Sequence, residues 1–464
     1  MRLTIGIILV VLLMTSRVNS YVGITYGRQQ SQQLVPSMVV DMLLQNKISA
    51  VRFMTSASDI IQIFAATNIS TTIRLTNRMT NNINKKHLAL AWLNEKIKVP
   101  ANKGVKIVGL AVGAEPFSNT FLKDIPKFDA VASISLMREV LDEMDFRHVI
   151  TTTAHGVDVF NVSKVPSETG FRDDVKGVML KLLEFYNKTG APFVVNMFPL
   201  HIVRDVLNCP IEFTFFDNMS NLTITDGNAT YTNAVELIYD SVVSAITNAG
   251  YSTMKIVIGE IGWPTDGYSY ANIKNAERFY KGLLKFIASE KGTPLRPGPI
   301  DIYLHSLSDE NKFGRMYGAF QRHWGIYEAD GNPKYKIDFT LQDRDEYPYK
   351  AKGIVSMPRR WCVFNGDTSN LELVKKNFNF ACGITDCTPL EEGGSCGGLS
   401  EESKFSYAFN GCYQRQRQVK QACDFDGLGI ITTENPSQDK CEFVVEVLAL
   451  EDHLTANTEI LLKV

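Results

Sequence analysis

The segment Ile107-Val-Gly-Leu-Ala-Val-Gly-Ala-Glu115 joins an apolar β-strand pattern to a carboxylate at its end. Ile256-Val-Ile-Gly-Glu260 shows the same arrangement later in the chain. An apolar run of this kind, with glycine close by, predicts a buried strand. A glutamate directly after such a strand is costly to bury without a partner, so packing explains it poorly. The two segments therefore predict buried strands that carry carboxylates at their carboxyl ends.

Short β-rich runs alternate with longer amphipathic stretches on both sides of these segments. The candidate strands are Val22–Thr25, Ala50–Phe53, Thr71–Leu75, Lys106–Val112, His148–Thr153, Pro192–Met197, Lys255–Ile258 and Asp301–Leu307. The candidate helices include Val35–Gln45, Leu88–Ile97, Asp173–Lys188, Thr232–Ala249 and Ala271–Ser289. Eight strands over residues 21–341 predict an α/β fold, a closed (β/α)8 TIM barrel. A doubly wound open sheet is the alternative, but Gly27-Arg-Gln-Gln-Ser31 is not the glycine-rich phosphate loop that such a sheet normally carries.

The charge balance excludes some classes of partner, and the distribution of cysteines divides the chain into two unlike parts. Its 464 residues carry 48 Lys and Arg against 50 Asp and Glu, a net charge of −2. This balance provides no electrostatic footprint for nucleic acid or an anionic membrane surface. Of eight cysteines, Cys209 is alone in the first three quarters, and seven lie between Cys362 and Cys441. We therefore predict a barrel (21–341), a polar linker (342–358), a cysteine-rich module (359–445) and a C-terminal tail (446–464).

Residues 1–20 match a secretory signal peptide. Arg2 precedes an apolar run from Ile5 to Met14 that is too short to span a membrane, and small residues predict cleavage after Ser20. A buried first strand or helix is the alternative. The C-terminus lacks the long apolar tail of a lipid-anchor signal. We therefore predict a secreted glycoprotein without a transmembrane segment, with Asn-X-Ser/Thr glycosylation sites at Asn68, Asn161, Asn187, Asn218, Asn221 and Asn228.

Glu115 and Glu260 fall on the fourth and seventh candidate strands, and a β/α barrel performs catalysis where its strands end. Solvated loop glutamates are the alternative, but two in this context favour a carboxylate pair. Such a pair is what glycoside hydrolysis requires: one carboxyl protonates the leaving oxygen, and the other attacks the anomeric carbon or activates water. Trp263 provides either a flat face for a sugar ring or a core side chain. Asn196 either binds a sugar hydroxyl or caps its strand.

Gly259-Glu-Ile-Gly-Trp-Pro-Thr265 resembles the nucleophile signature of glycoside hydrolase family 17, the plant endo-1,3-β-glucanases. Further blocks follow the family's order: Gly23-Ile-Thr-Tyr-Gly27, Val112-Gly-Ala-Glu115, Val194-Val-Asn-Met-Phe-Pro199, Gly292-Thr-Pro-Leu-Arg-Pro297, Ser308-Asp-Glu-Asn311 and Arg322-His-Trp-Gly325. The resemblance implies a retaining, double-displacement mechanism without metal or organic cofactor. It implies that Glu260 is the nucleophile, Glu115 the acid/base and Glu310 an acidic cleft residue, and that Tyr26 binds substrate.

The chain departs from the family's pattern at several positions near the expected site. Thr25 and Ala114 stand where the family usually has Asn, and Phe198 stands where Tyr is usual. Met54-Thr-Ser-Ala57 replaces an aromatic and acidic run. Each lost hydrogen bond to substrate typically costs about ten- to a thousandfold in rate. Weak or absent turnover in a β-1,3-glucan-binding cell-wall protein is therefore the alternative function, and transglycosylation by the same glutamate pair is a third.

The cysteine-rich module is too small for a large core, so disulfides are expected to stabilise it. A metal site at Cys382 and Cys387 is the alternative, disfavoured because no histidine lies near them. Six cysteines allow 15 pairings. The segment resembles the plant carbohydrate-binding module of family 43, which implies disulfide-bonded cysteines that bind no metal and recognition of β-1,3-glucan. The cysteines that match are Cys362, Cys382, Cys387, Cys396, Cys423 and Cys441.

Cys412 is additional to the six cysteines, and with Cys209 it forms either an interdomain disulfide or two free thiols. Ser406-Tyr-Ala-Phe-Asn410 and Tyr413-Gln414 match the module family's aromatic segment. Tyr407, Tyr413 and Trp361 are candidates for stacking on sugar rings, although Trp361 fits the small core equally well, and Phe409 is expected in that core. The leading hypothesis is a monomeric, secreted β-1,3-glucan endohydrolase of the extracellular cell wall (the apoplast), held on its polymer by the module.

Overall fold

The computed structural model describes residues 20–31, 33–118 and 128–447. The predicted signal peptide, apart from Ser20, and most of the predicted C-terminal tail lie outside these residues. Within the described ranges, no helix is long and apolar enough to cross a membrane.

Eight parallel strands form a closed barrel in which each strand pairs with the strands that precede and follow it in the chain, and the first strand pairs with the last. Val22 pairs with Ile302 where the first and last strands meet. The predicted fold class is therefore confirmed. The strands are β1 Val22–Tyr26, β2 Ala50–Phe53, β3 Ser70–Leu75, β4 Ile107–Ala114, β5 Ile150–Gly156, β6 Phe193–Asn196, β7 Ile256–Ile261 and β8 Asp301–Leu304.

Helices surround the barrel and follow the predicted amphipathic segments closely. An additional helix, Ala130–Glu143, is capped by the Asp129 side chain and buries Ile134, Met137 and Leu141 at helical spacing. The helices are α1 Pro36–Gln45, α2 Ser58–Gln62, α3 Asn77–Asn82, α4 Lys86–Leu93, α5 Val99–Asn102, α6 Ala130–Glu143, α7 Asp173–Thr189, α8 Pro199–His201, α9 Ala234–Asn248, α10 Ile273–Ala288, α11 Leu371–Ile384 and α12 Glu401–Arg415.

The barrel buries apolar side chains on both sides of its sheet. The larger core lies between strands and helices, and a smaller cluster inside the barrel includes Ala50, Val194, Val257 and Tyr303. This inner cluster closes the lumen below the carboxyl ends of the strands. Polar side chains that point inward one layer higher therefore collect at the mouth, where a β/α barrel places its chemistry.

The cysteine-rich module is built on helices α11 and α12 and a two-stranded antiparallel sheet of β9 (Trp361–Phe364) and β10 (Gly429–Thr432). Cys209 is half-buried and Cys412 is buried, and both are free thiols, so no disulfide joins barrel and module among the described residues. The disulfides of the described chain join Cys362 to Cys423, Cys382 to Cys387 and Cys396 to Cys441.

The module is docked on the barrel through polar contacts. Arg322 Nη1 donates to Asp386 Oδ1 at 2.7 Å, and His323 Nε2 lies 3.0 Å from Thr388 Oγ1. The Ser395 backbone N–H donates to the Asp266 carboxylate at 2.8 Å. The barrel side of this interface is therefore formed partly by the segment that contains Arg322 and His323.

We expect Asp386→Ala to lower the free energy of unfolding by about 1–3 kcal/mol, because it removes a charged acceptor and leaves Arg322 Nη1 without one. Asp386 is buried and also accepts from the Thr388 side chain and backbone. Chemical denaturation of the full chain measures the effect. Asp424→Ala is the matched control, since Asp424 is an exposed aspartate of the same module. Equal stability of the two variants would contradict a docked interface.

Candidate active site

A cleft of about 820 Å³ opens at the carboxyl ends of the barrel strands. Its wall combines acidic, basic and aromatic side chains contributed by loops after most of the strands. Among them are Arg74, Glu115, Asn196, Phe198, His201, Glu260, His305, Glu310, Phe320 and Trp324. This volume is in the range of small-molecule sites, and its position is the one where β/α barrels carry out catalysis.

Glu115 is the first residue beyond β4 and has a left-handed backbone, with φ of 48°. Its N–H donates to the Ala154 carbonyl at 2.8 Å, which holds this uncommon conformation in place. Its Oε1 accepts a hydrogen bond of 2.7 Å from Asn196 Nδ2. Burial, and then the charge of Glu260, raise the pKa of Glu115 to about 7. Glu115 therefore holds a proton at mildly acidic pH.

Glu260 lies within β7 and is 5% exposed. Arg52 Nη1 is 3.3 Å from Glu260 Oε1 and donates to the Gly259 carbonyl at 3.0 Å. His305 Nδ1 is 3.7 Å from Glu260 Oε2, and burial lowers the pKa of His305, so that its ring is neutral near pH 7. The positive charge beside Glu260 is thus supplied by Arg52.

Asn196, at the end of β6, connects the two glutamates. Its Nδ2 donates to Glu115, and its Oδ1 lies 3.4 Å from the Arg52 Nη1 that also contacts Glu260. Within the described residues, no cation contacts the Glu115 carboxyl, whereas the Glu260 carboxyl is paired with an arginine. Environments that separate two carboxyls in this way provide one proton donor and one anion in a single site.

Residues 22–339 match the model of Glycosyl hydrolases family 17. The chain belongs to this family. Residues 360–430 match the X8 domain. Glucan endo-1,3-beta-glucosidase 8 of Arabidopsis thaliana is 33% identical over 456 residues, which cover 97% of this chain and 94% of that protein. Glucan endo-1,3-beta-glucosidase 9 of the same plant is 33% identical over 430 residues, 92% of this chain and 89% of that one.

Among solved structures, CJP38, a beta-1,3-glucanase and allergen of Cryptomeria japonica pollen, is 28% identical to this family 17 chain. It superposes with a TM-score of 0.65 and covers 70% of this chain and 100% of its own.

Glu310 is a third carboxylate of the family 17 cleft. It is 8% exposed and accepts a hydrogen bond of 2.7 Å from the Gln29 backbone N–H. Burial raises the pKa of Glu310 to about 7. Gly27 leaves the room for it, because a Cβ at that position would overlap the Glu310 carboxylate. The structure thus brings Glu115, Glu260 and Glu310 to one cleft.

Two predictions of substrate-binding aromatic residues in the barrel are wrong. Trp263 is fully buried between Phe215 and Phe279, and its Nε1 donates to the Tyr270 carbonyl at 3.1 Å. No face of its ring is open to a sugar, so the core alternative holds. Tyr26 is 3% exposed, belongs to the barrel core and is not part of the cleft wall.

The module's predicted stacking residues are also largely buried. Trp361 is 3% exposed with its Nε1 donating to the Phe443 carbonyl at 2.8 Å, and Tyr413 is 1% exposed, so both predictions are wrong. Phe409 is buried against Phe425, as expected for a core residue. Tyr407 is half-buried beside Phe443 and remains a prediction.

The positions that depart from the family's usual residues have different surroundings. Thr25 is fully buried, and its Oγ1 lies 3.0 Å from His305 Nδ1, so it supports the histidine from outside the cleft wall. Ala114 is in the cleft wall, with its backbone N–H and carbonyl both bonded to the Asn77 side chain. Phe198 is also in the wall, 4.8 Å from the Trp324 ring. Ala114 and Phe198 thus present no polar side-chain group to a substrate.

Several site residues escape the sequence analysis, and some of them leave a signal. Arg52 is a charged residue inside the apolar strand Ala50-Val-Arg-Phe53, which is the same anomaly that identifies the glutamates. Arg74 lies near the end of β3, but this strand, Ser70-Thr-Thr-Ile-Arg-Leu75, is mostly polar, so its charge is not conspicuous in the sequence. His305 directly follows β8, where a barrel places functional groups. Trp324 falls in a quoted family block, but nothing in its spacing indicates that it reaches the cleft.

We expect the catalytic rate to fall as pH rises above about 7. The Glu115 carboxyl can donate a proton only in its protonated form, and burial raises its pKa to about 7, so each further pH unit lowers the protonated fraction about tenfold. A pH profile of kcat/KM measures this limb. Asn196→Ala removes a hydrogen bond that lowers the Glu115 pKa, so it moves the limb to higher pH. A wild-type profile that stays flat well above pH 7 would contradict this assignment.

Proposed function

We propose that this protein is a retaining endohydrolase of β-1,3-glucan. The observation that carries the proposal is the pair of contrasting carboxyls, Glu115 with its raised pKa and Glu260 beside Arg52. The relatives' names, glucan endo-1,3-beta-glucosidase, supply the substrate class. The family's chemistry and the geometry of the cleft point to the same reaction.

In the first step Glu115 donates its proton to the glycosidic oxygen while a Glu260 oxygen bonds to the anomeric carbon. The C–O bond breaks, one part of the glucan leaves as an alcohol, and the other stays as a glycosyl ester of Glu260. In the second step Glu115, now ionised, takes a proton from water, whose oxygen attacks the same carbon and releases Glu260. Asn196 stays hydrogen-bonded to Glu115 and orients it through both steps.

The remaining assignments follow from the same reaction. The X8 domain binds the polymer beside the barrel, so that the cleft works on a chain held nearby. The three disulfides fit an oxidising compartment, which supports a secreted protein of the cell wall. The six predicted glycosylation sites are all exposed, as modification requires. We propose that the protein acts as a monomer and needs no cofactor.

The purified protein tests the proposal with a soluble β-1,3-glucan and, as the control, a β-1,4-glucan of similar length. We expect new reducing ends and a mixture of short oligosaccharides from the β-1,3 polymer only. Proton NMR of the first products distinguishes retention from inversion at the anomeric carbon. Products that first appear as the α-anomer would contradict the double displacement.

The alternative function is binding of β-1,3-glucan with little turnover, and the apolar Ala114 and Phe198 in the cleft wall are the observations that favour it. Affinity for the polymer without new reducing ends would establish this alternative. Oligosaccharides longer than the starting material would instead show transglycosylation, in which a sugar hydroxyl replaces water in the second step.

A further inference from the structure

Arg74 points into the barrel mouth from β3. Burial alternates along β3, with Ser70, Thr72 and Arg74 on the less buried side. Thr72 is the register partner of Arg52, whose side chain crosses the barrel to Glu260. Because alternate residues of a strand share a face, Arg74 lies on the same inner face, one layer closer to the cleft. It is partly exposed and forms part of the cleft wall.

The Arg74 guanidinium has few hydrogen-bonding partners in the described part of the chain. Among the residues that the structure describes, its hydrogen-bonding partner is Met54 Sδ, 3.6 Å from Nη1, and its Nε is buried without a partner. A thioether is a weak acceptor, whereas a guanidinium has five N–H donors. Arg52 also has a buried nitrogen without a described partner, Nη2, but its Nη1 contacts both the Gly259 carbonyl and Glu260.

The surrounding charges make this lack of partners unusual. Burial lowers the pKa of Arg74, and the charges of Glu260, Glu115 and Glu310 oppose this shift, yet none of the three forms an ion pair with it in the described chain. A cation that only balanced the carboxylates would be expected to contact one of them. Burying donors without acceptors costs free energy, so these donors require acceptors that the described protein groups do not supply.

We infer that Arg74 is a specificity-determining residue, donating hydrogen bonds to hydroxyls of the glucosyl unit that binds against Glu260. The inference rests on the proposed function and specifies one of its binding contacts. A neutral glucosyl unit carries hydroxyl oxygens that accept hydrogen bonds from a guanidinium, and it does not repel the three nearby glutamates. An anionic sugar would approach the same arginine but would meet those carboxylates.

The binding of a neutral β-1,3-gluco-oligosaccharide to Glu260→Gln protein tests the inference without interference from turnover. We expect adding Arg74→Met to weaken the affinity, measured by calorimetry, by roughly 10- to 100-fold, the scale of hydrogen bonds from a charged donor. Arg74→Lys should recover only part of it, because an ammonium cannot present two parallel donors. Arg78→Met, in the exposed start of α3, is the matched control and should bind like the parent.

Thermal unfolding of each variant shows whether it is folded, and Arg74→Gln replaces the methionine variant if that one is not. Unchanged affinity in a folded Arg74 variant would overturn the inference and leave the proposed function intact. Unchanged affinity for the neutral sugar, with lost affinity for a carboxymethylated glucan, would overturn it in favour of an anion site. Failure of the Arg74-containing parent to bind any β-1,3-oligosaccharide would overturn both the inference and the proposed function.

Discussion

Glu260→Gln is expected to slow hydrolysis of β-1,3-glucan by at least about 10⁴-fold, the scale reached when an enzyme loses its nucleophile. An amide has nearly the shape of the carboxylate but cannot form the glycosyl ester. Arg52 would then face a neutral group in place of the anion it now contacts at 3.3 Å. Initial rates of reducing-end formation measure the loss, and calorimetry with an oligosaccharide shows whether binding survives.

Glu236→Gln is the matched control for this substitution. Glu236 is also partly buried, with its pKa raised by burial to about 7, but it lies on α9 and outside the cleft wall. We expect its rate to stay within about twofold of the unaltered protein, as for a substitution away from the reacting groups. A Glu260→Gln protein that keeps a tenth or more of the rate would remove Glu260 from the nucleophile role.

Glu115→Gln is expected to lower the rate by about 10²- to 10⁴-fold, the contribution of a positioned acid/base. The loss should depend on the leaving group. The acidic phenol of a suitable aryl β-glucoside leaves as its anion and needs no proton. The first step of its hydrolysis should therefore be nearly unaffected, while the second step still lacks a base. We therefore expect a burst of phenol followed by slow turnover.

The pH profile gives a second measure for the same variant. Since the limb above about pH 7 belongs to Glu115, it should disappear when glutamine replaces this residue. A variant that keeps the limb would show that another group, such as Glu310 with its pKa of about 7, is responsible for it. If the variant lost as much rate in the first step with the aryl glucoside as it loses with the polymer, the acid role of Glu115 would be contradicted.

The glutamates could be found from sequence because burying a carboxylate after an apolar strand has few structural explanations. The direction in which these side chains point is harder to predict from the sequence. Val257 belongs to the inner cluster, so strict alternation would turn Glu260 away from it. The pairing of β7 with β6 shifts register between Ile258 and Glu260, and this irregularity returns Glu260 to the inside. No residue pattern indicates that shift, so sequence parity could not show which way Trp263 points.

Aromatic residues of the module were mispredicted for a related reason. A small domain needs large side chains for its core, and a sugar-binding face uses the same residue types. Trp361 and Tyr413 supply the core, which their spacing along the chain does not reveal. The sequence does not indicate the importance of Arg74, because this importance lies in the absence of an acceptor among the described groups and so depends on three-dimensional neighbours.

The docked module changes how a bound polymer would be presented. A module on a loose tether raises the local concentration of its ligand over every orientation that the linker allows. Here Arg322 and His323 contact the module, while Phe320, Gln321 and Trp324 of the same segment form part of the cleft wall. A glucan strand bound to both the module and the cleft would therefore be held in one position. The bond to be cut would lie at a set distance from the stretch that the module binds.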